Sequence, residues 1–198
     1  CCDRFSQTGL RTELLPDVFP AGAALGKIST KVAKALGLNA KVIIHAGTTD
    51  SIAAFLAAAP LEMGNAVTSL GTTLALKLLS DKRIALPEKG LYSHKVGNVW
   101  LVGGASNTGG GVLAQLFDPQ TLVDLSTQID ASKTSQLDYY PLNKPGERFP
   151  VNDPKLLPRL TPRPDNDVDY LHGILESMAR IEAQGYKAIQ DEGGTAIA

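Results

Sequence analysis

Seven of the chain's twelve prolines fall within residues 141–164. That density rules out a regular helix or a central strand there, because proline fixes φ and has no amide donor. The stretch is expected to be a long ordered loop, of a length that often carries function or an interface. Behind it, Asp165-Asn166-Asp167 supplies N-cap chemistry. Val168, Leu171, Leu175, Met178 and Ile181 then mark one long amphipathic helix to about Gln190.

Ahead of the loop the apolar pattern is broken into short pieces. Residues 1–24 have no clean period and carry Pro16, Pro20 and Gly22, so they read as an irregular lead-in with a short helical turn near 13–18. Ile28, Val32, Ala35 and Leu36 share one face of a helix that Gly37 ends. Residues 41–46, with Val42, Ile43 and Ile44 in an unbroken apolar run, predict a central strand covered on both faces. Gly47-Thr48-Thr49 ends it, and 51–59 form an alanine-rich helix. Strands are expected at 66–70 and 74–79, joined by the hairpin turn Gly71-Thr72-Thr73. A second hairpin, 92–95 with 99–102, turns at Gly97-Asn98 and is broken by Gly103-Gly104. Helical material follows at 112–117 and 122–129, and no internal repeat is present. The sum is an α/β domain around a mixed sheet.

A chain of 198 residues can form one sizeable domain or two small ones. A net charge of -1 argues against a dedicated nucleic-acid binder, which carries a basic excess. No apolar run approaches the roughly 20 residues needed to cross a bilayer, and the start lacks a signal-peptide pattern. The two cysteines are adjacent, Cys1 and Cys2, and cannot close a loop. The chain does not begin with Met and stops directly after a long helical pattern, which is expected of a fragment or a truncated gene product.

Three stretches can carry chemistry. Asp50 follows Gly47, Thr48 and Thr49 at a strand-to-helix junction, where ligands commonly meet a sheet's end. It reads either as a general base towards a substrate hydroxyl or as the cap of the next helix. Gly71-Thr72-Thr73 can bring backbone amides and a hydroxyl to a phosphate, or serve as a plain hairpin turn. Gly103 to Leu113, GGASNTGGGVL, matches neither the P-loop nor the Rossmann spacing. Its glycines 109–111 either let a nucleotide approach a helix N-terminus or allow close packing of helix on sheet. His45, His94 and His172 show no metal-ligand spacing. Ser51, Ser69 and Ser106 lack the setting of a hydrolase nucleophile.

Taken in order, GTTDSIAAF, AVTSLGTTLALKLLS and WLVGGASNTGGGVL resemble the C-terminal half of the FGGY carbohydrate kinases. The similarity continues through LDYYPL, GERFP, PRLTPRP and YLHGILESMARIEAQGYK, and is greatest to the D-ribulose kinase type of plants and cyanobacteria. It covers roughly residues 37–191. It implies a mixed-sheet, ribonuclease-H-like domain of the actin-like ATPase class, incomplete relative to the two-domain kinase. Residues 25–198 would be the ATP-facing domain, with 1–24 leading in from a preceding one.

The resemblance makes Asp50 the base that deprotonates the attacking sugar hydroxyl. It puts Gly71, Thr72 and Thr73 at the phosphates of ATP, and Gly110, Leu113 and Ala114 in the nucleotide pocket. Ala114 stands where many relatives carry glutamine, so a hydrogen bond to the base is not expected there. Mg²⁺ is implied as cofactor, with no metal ligand in this chain. The family's N-terminal domain, with its aspartate-glycine-threonine loop and most sugar contacts, is absent, as is the Gly-Gly-Gly-Ala adenosine motif expected after the last helix. Gly193-Gly194 follows the helix too closely to be that motif. The expected partners are a sugar, ATP and the missing domain, without nucleic acid or membrane, in the cytoplasm or the plastid stroma. The rival expectation is a non-catalytic remnant that at most binds nucleotide or another chain.

Overall fold

The computed structural model describes residues 11–196. Cys1, Cys2 and most of the first half of the irregular lead-in lie outside them. The chain forms two compact units, Cys1–Asp50 and Ser51–Ala198.

In the first unit a 3-10 turn, Thr12–Leu14, stands where a short helical turn was expected, and strand β1 (Ala24–Lys27), helix α1 (Thr30–Leu36) and strand β2 (Ile43–His45) follow. Ser29 caps α1 by accepting from Val32 N at 3.3 Å, and Gly37 ends it at φ 66°, a left-handed conformation that glycine adopts without strain. β1 and β2 pair antiparallel as a two-stranded ribbon. The expected central strand is therefore a short ribbon strand. Val42, Ile43 and Ile44 are 38, 52 and 45 % exposed, and among the described residues their sheet has two strands. An unbroken apolar run marks residues suited to burial on both faces; it does not state that this unit supplies the cover.

The second unit is built on a four-stranded antiparallel sheet in the order β3-β4-β6-β5, from β3 (Ala66–Leu70), β4 (Leu74–Ser80), β5 (Tyr92–Val96) and β6 (Val99–Ser106). Helix α2 (Asp50–Ala58) opens it, and α3 (Gly110–Leu116), α4 (Pro119–Ser126) and the 25-residue α5 (Asp167–Asp191) complete it. Asn166 caps α5 through Val168 N, as the acidic-amide cluster predicts. Residues 141–164 contain no helix or named strand; bridges Tyr140–Arg159 and Glu147–Asp153 hold them in place.

Period-2 alternation along β4 divides the core. Leu74, Leu76 and Leu78 cluster with Ile181, Ile189 and Phe149, while Leu79 clusters with Ile52 and Phe55 of α2. The sheet is thus covered by α5 on one face and α2 on the other, which explains why every residue of β4 but the half-buried Ala75 is buried. Thr68 of β3 donates to Glu182 at 2.5 Å and lies 2.9 Å from the Tyr186 hydroxyl, fastening β3 to α5.

Gly103 and Gly104 do not break β6; both lie inside it. A Cβ on Gly103 would stand 2.4 Å from Leu76 O, and one on Gly104 2.5 Å from the Phe149 ring. These are glycines of close approach, which in a sequence look the same as glycines of a turn.

Candidate functional site

The β3–β4 hairpin closes with Leu70 opposite Leu74, and Gly71-Thr72-Thr73 form its tip. Gly71 N–H donates within the tip to Thr73 O at 3.2 Å. β6 ends at Ser106, and the chain turns through Asn107, Thr108 and Gly109 into α3. The two turns meet. Leu74 N donates to Thr108 O at 2.7 Å, Gly110 N to Gly71 O at 2.7 Å, and Gly111 N to Thr72 O at 3.1 Å.

Only glycine permits this approach. Gly109 sits at φ 142°, and its Cβ would stand 2.7 Å from Thr73 Cα. A Cβ on Gly110 would meet Gly71 O at 2.8 Å, and one on Gly111 would meet Thr72 O at 2.9 Å. The amides of Gly110 and Gly111 are therefore used by the hairpin tip. For these two groups, the close-packing alternative is the one realised. The donors left for a ligand at the tip belong to Thr72 and Thr73.

The remaining candidates divide by burial. Gly71 and Thr72 are exposed and Thr73 is half-buried. On α3, Leu113 is buried in a cluster with Phe117, Tyr170 and Ile174, whereas Ala114 is exposed and Gly110 half-buried. Asp50 is the first residue of α2, exposed, and closes the first unit, as do the exposed Gly47, Thr48 and Thr49 before it. A carboxylate in a helix's first turn is favoured by the macrodipole. Lys77, buried on β4, donates from Nζ to Ser51 O at 2.6 Å and so ties the sheet to the start of α2.

One residue of the site carries no signal in the sequence. Glu147, in the proline-rich loop, is 2 % exposed. It accepts from Ser106 Oγ at 2.5 Å, Asn107 N at 2.7 Å, Arg148 N at 2.8 Å and Tyr140 OH at 3.1 Å. Burial, with the Glu147 charge and their hydrogen bond behind it, pushes the Tyr140 phenol well above its ordinary range. No residue pattern flags Glu147, because a charged residue between prolines looks solvated and its partners on β6 and beyond, Ser106 and Asn107, are 41 and 40 positions away.

Among the described residues, no three of His, Cys, Asp and Glu lie close enough together to hold a metal ion. Mg²⁺ does not require such a cluster, since it normally takes one or two carboxylates plus substrate phosphates. Among the described residues, no helix is long and apolar enough to cross a membrane.

No protein-family model matches the chain. Solved structures do. Gluconate kinase from Lactobacillus acidophilus superposes with a TM-score of 0.82 at 19 % identity, over 100 % of this chain and 42 % of that one. Xylulose kinase from Rhodospirillum rubrum matches with a TM-score of 0.78 at 20 % identity, over 98 % and 41 %. Glycerol kinase from Plasmodium falciparum, solved with ADP, matches with a TM-score of 0.75 at 16 % identity, over 98 % and 40 %. The fold is that of the sugar kinases. It is an α/β fold, as the motifs imply, with its described strands paired antiparallel, and the chain spans about two fifths of each of these structures.

Proposed function

We propose that the chain is the ATP-facing, C-terminal domain of an FGGY-type carbohydrate kinase that phosphorylates a ketopentose, D-ribulose. The observation that carries this reading is the pair of glycine turns, clasped by backbone hydrogen bonds at one end of a sheet with the sugar-kinase fold. Phosphoryl transfer needs little covalent chemistry from the protein; it needs positioned donors and a base. Thr72 and Thr73 present hydroxyls and amides to the β- and γ-phosphates, with Gly71 allowing the close approach. Gly110 and Ala114, one helical turn apart on α3, face the nucleoside, and Leu113 anchors that turn in the core. Asp50 removes the proton from the attacking sugar hydroxyl. Mg²⁺, when bound, would screen the phosphate charge, and no residue of this chain is assigned to hold it. The sugar contacts belong to a second domain, which closes on this one around both substrates.

The test is an ADP-release assay on the complete protein with Mg·ATP and four acceptors: D-ribulose, D-xylulose, gluconate and glycerol. D-ribulose is expected to give the highest kcat/KM. A higher value for another acceptor would replace the substrate while keeping the kinase. Nucleotide binding without ADP release on any of the four would give the non-catalytic remnant in its place.

A further inference from the structure

Glu147 is the acid in the buried set among the described residues, and it is an expensive one to bury. A carboxylate inside a protein is tolerated only when its lone pairs are filled, and an apolar residue often serves packing equally well. Here the pairs are filled by donors from three separate stretches. Oε1 takes Asn107 N and Arg148 N; Oε2 takes Ser106 Oγ and Tyr140 OH. The Asn107 side chain adds a bond to Gly146 O at 2.9 Å. The carboxylate therefore locks the end of β6 to the proline-rich loop.

The connection continues into the glycine turns. Ser106 gives its hydroxyl proton to Glu147 and accepts from Thr108 N at 3.0 Å, so its orientation is set from both sides. Thr108 O takes Leu74 N at the base of the hairpin, and the amides of Gly110 and Gly111 then grip Gly71 O and Thr72 O. Each link is the next one's support.

We infer that Glu147 is a positioning residue for the phosphate-facing turn: through Ser106 and Thr108 it sets the 106–111 turn, and so the geometry of Gly71-Thr72-Thr73. The ligand it serves, a nucleoside polyphosphate, rests on the kinase reading; the mechanical link does not.

The experiment separates the two. Residue-resolved amide exchange is measured on the full chain carrying Glu147→Gln or Ser106→Ala, with Mg·ADP affinity measured on the same samples. Exchange at Leu74, Gly110 and Gly111 is expected to rise about tenfold or more, the scale of one lost buried hydrogen bond, while Leu76, Leu78 and Val102 stay protected. The ADP dissociation constant is expected to rise about as much. Tyr140→Phe, which removes one of two donors to Oε2, should give a smaller change of the same pattern. Should Glu147→Gln fail to fold, Ser106→Ala carries the test, because it leaves the carboxylate its bonds from Asn107 N, Arg148 N, Phe149 N and Tyr140 OH. Exchange at Gly110 and Gly111 that is unchanged, or that rises evenly across the sheet, would overturn the inference. If the complete protein, carrying its wild-type residues, binds no ADP, the kinase reading falls and the exchange result alone decides the role of Glu147.

Discussion

The Phe149 ring occupies the place where a side chain of Gly104 would begin: its Cγ, Cδ2 and Cδ1 lie 2.5, 2.6 and 2.7 Å from an ideal Cβ there. A Cβ on Gly185 of α5 would meet the other end of the same ring, 2.7 Å from Cε1. One buried aromatic thus sets the spacing of strand and helix. Gly104→Ala is expected to destabilise the domain by about 1–3 kcal/mol through overpacking. The double variant Gly104→Ala with Phe149→Leu should lose less than the sum of the single losses in urea unfolding, since both act on one contact. Strict additivity would mean that the ring and the glycine are independent.

Thr72→Val keeps the shape of the hairpin tip and removes its hydroxyl. In the complete protein the KM for ATP should rise, or kcat fall, by about tenfold, the worth of one hydrogen bond to a charged group. The clasp to Gly111 uses Thr72 O, so thermal stability should hold. Unchanged kinetics would make the tip purely structural.

Asp50→Asn preserves size and helix position while removing the basic oxygen. Turnover is expected to drop by at least ~10²–10⁴, the usual contribution of a general base, with Mg·ATP affinity retained. Isothermal titration alongside the rate assay separates the two effects, and undiminished turnover would remove Asp50 from the base role.

Alkaline stability should depend on buried phenols, Tyr139 among them. Tyr140 and Tyr186 have their pKa raised from 10.0 in the fold, both chiefly by burial. Below pH 10 both states are protonated and nothing changes. As pH rises past 10 the unfolded chain releases its protons first, so folding stability falls with further increase. Denaturant midpoints measured from pH 8 to 11 should be flat and then decline, and Tyr186→Phe should make the decline shallower. An equal slope in that variant would exclude Tyr186 as a contributor.

Much of this fold is written in local pattern. The β3–β4 hairpin falls where alternation and Gly71-Thr72-Thr73 place it, and α5 begins at its amide cap and runs one residue past Gln190. These features depend on neighbours in sequence, so sequence carries them. What it conceals is nonlocal. Gly103 and Gly104 look like breakers until Leu76 O and Phe149 are beside them. Residues 42–44 look doubly covered because an apolar run says nothing of which element lies over it. Glu147 looks like an exposed loop acid until Ser106 and Asn107 arrive from β6. The glycine turns were visible as two separate candidates; that they grip each other was not.

That grip runs through main-chain atoms alone, with consequences for how the region can drift over generations. No side-chain atom of the tip takes part in the clasp hydrogen bonds, so exchanging those side chains leaves the clasp its donors and acceptors. Gly109, Gly110 and Gly111 bear no functional group, yet one added methyl at any of them meets backbone within 3 Å. In a saturation library the least replaceable letters should therefore be the ones with nothing attached.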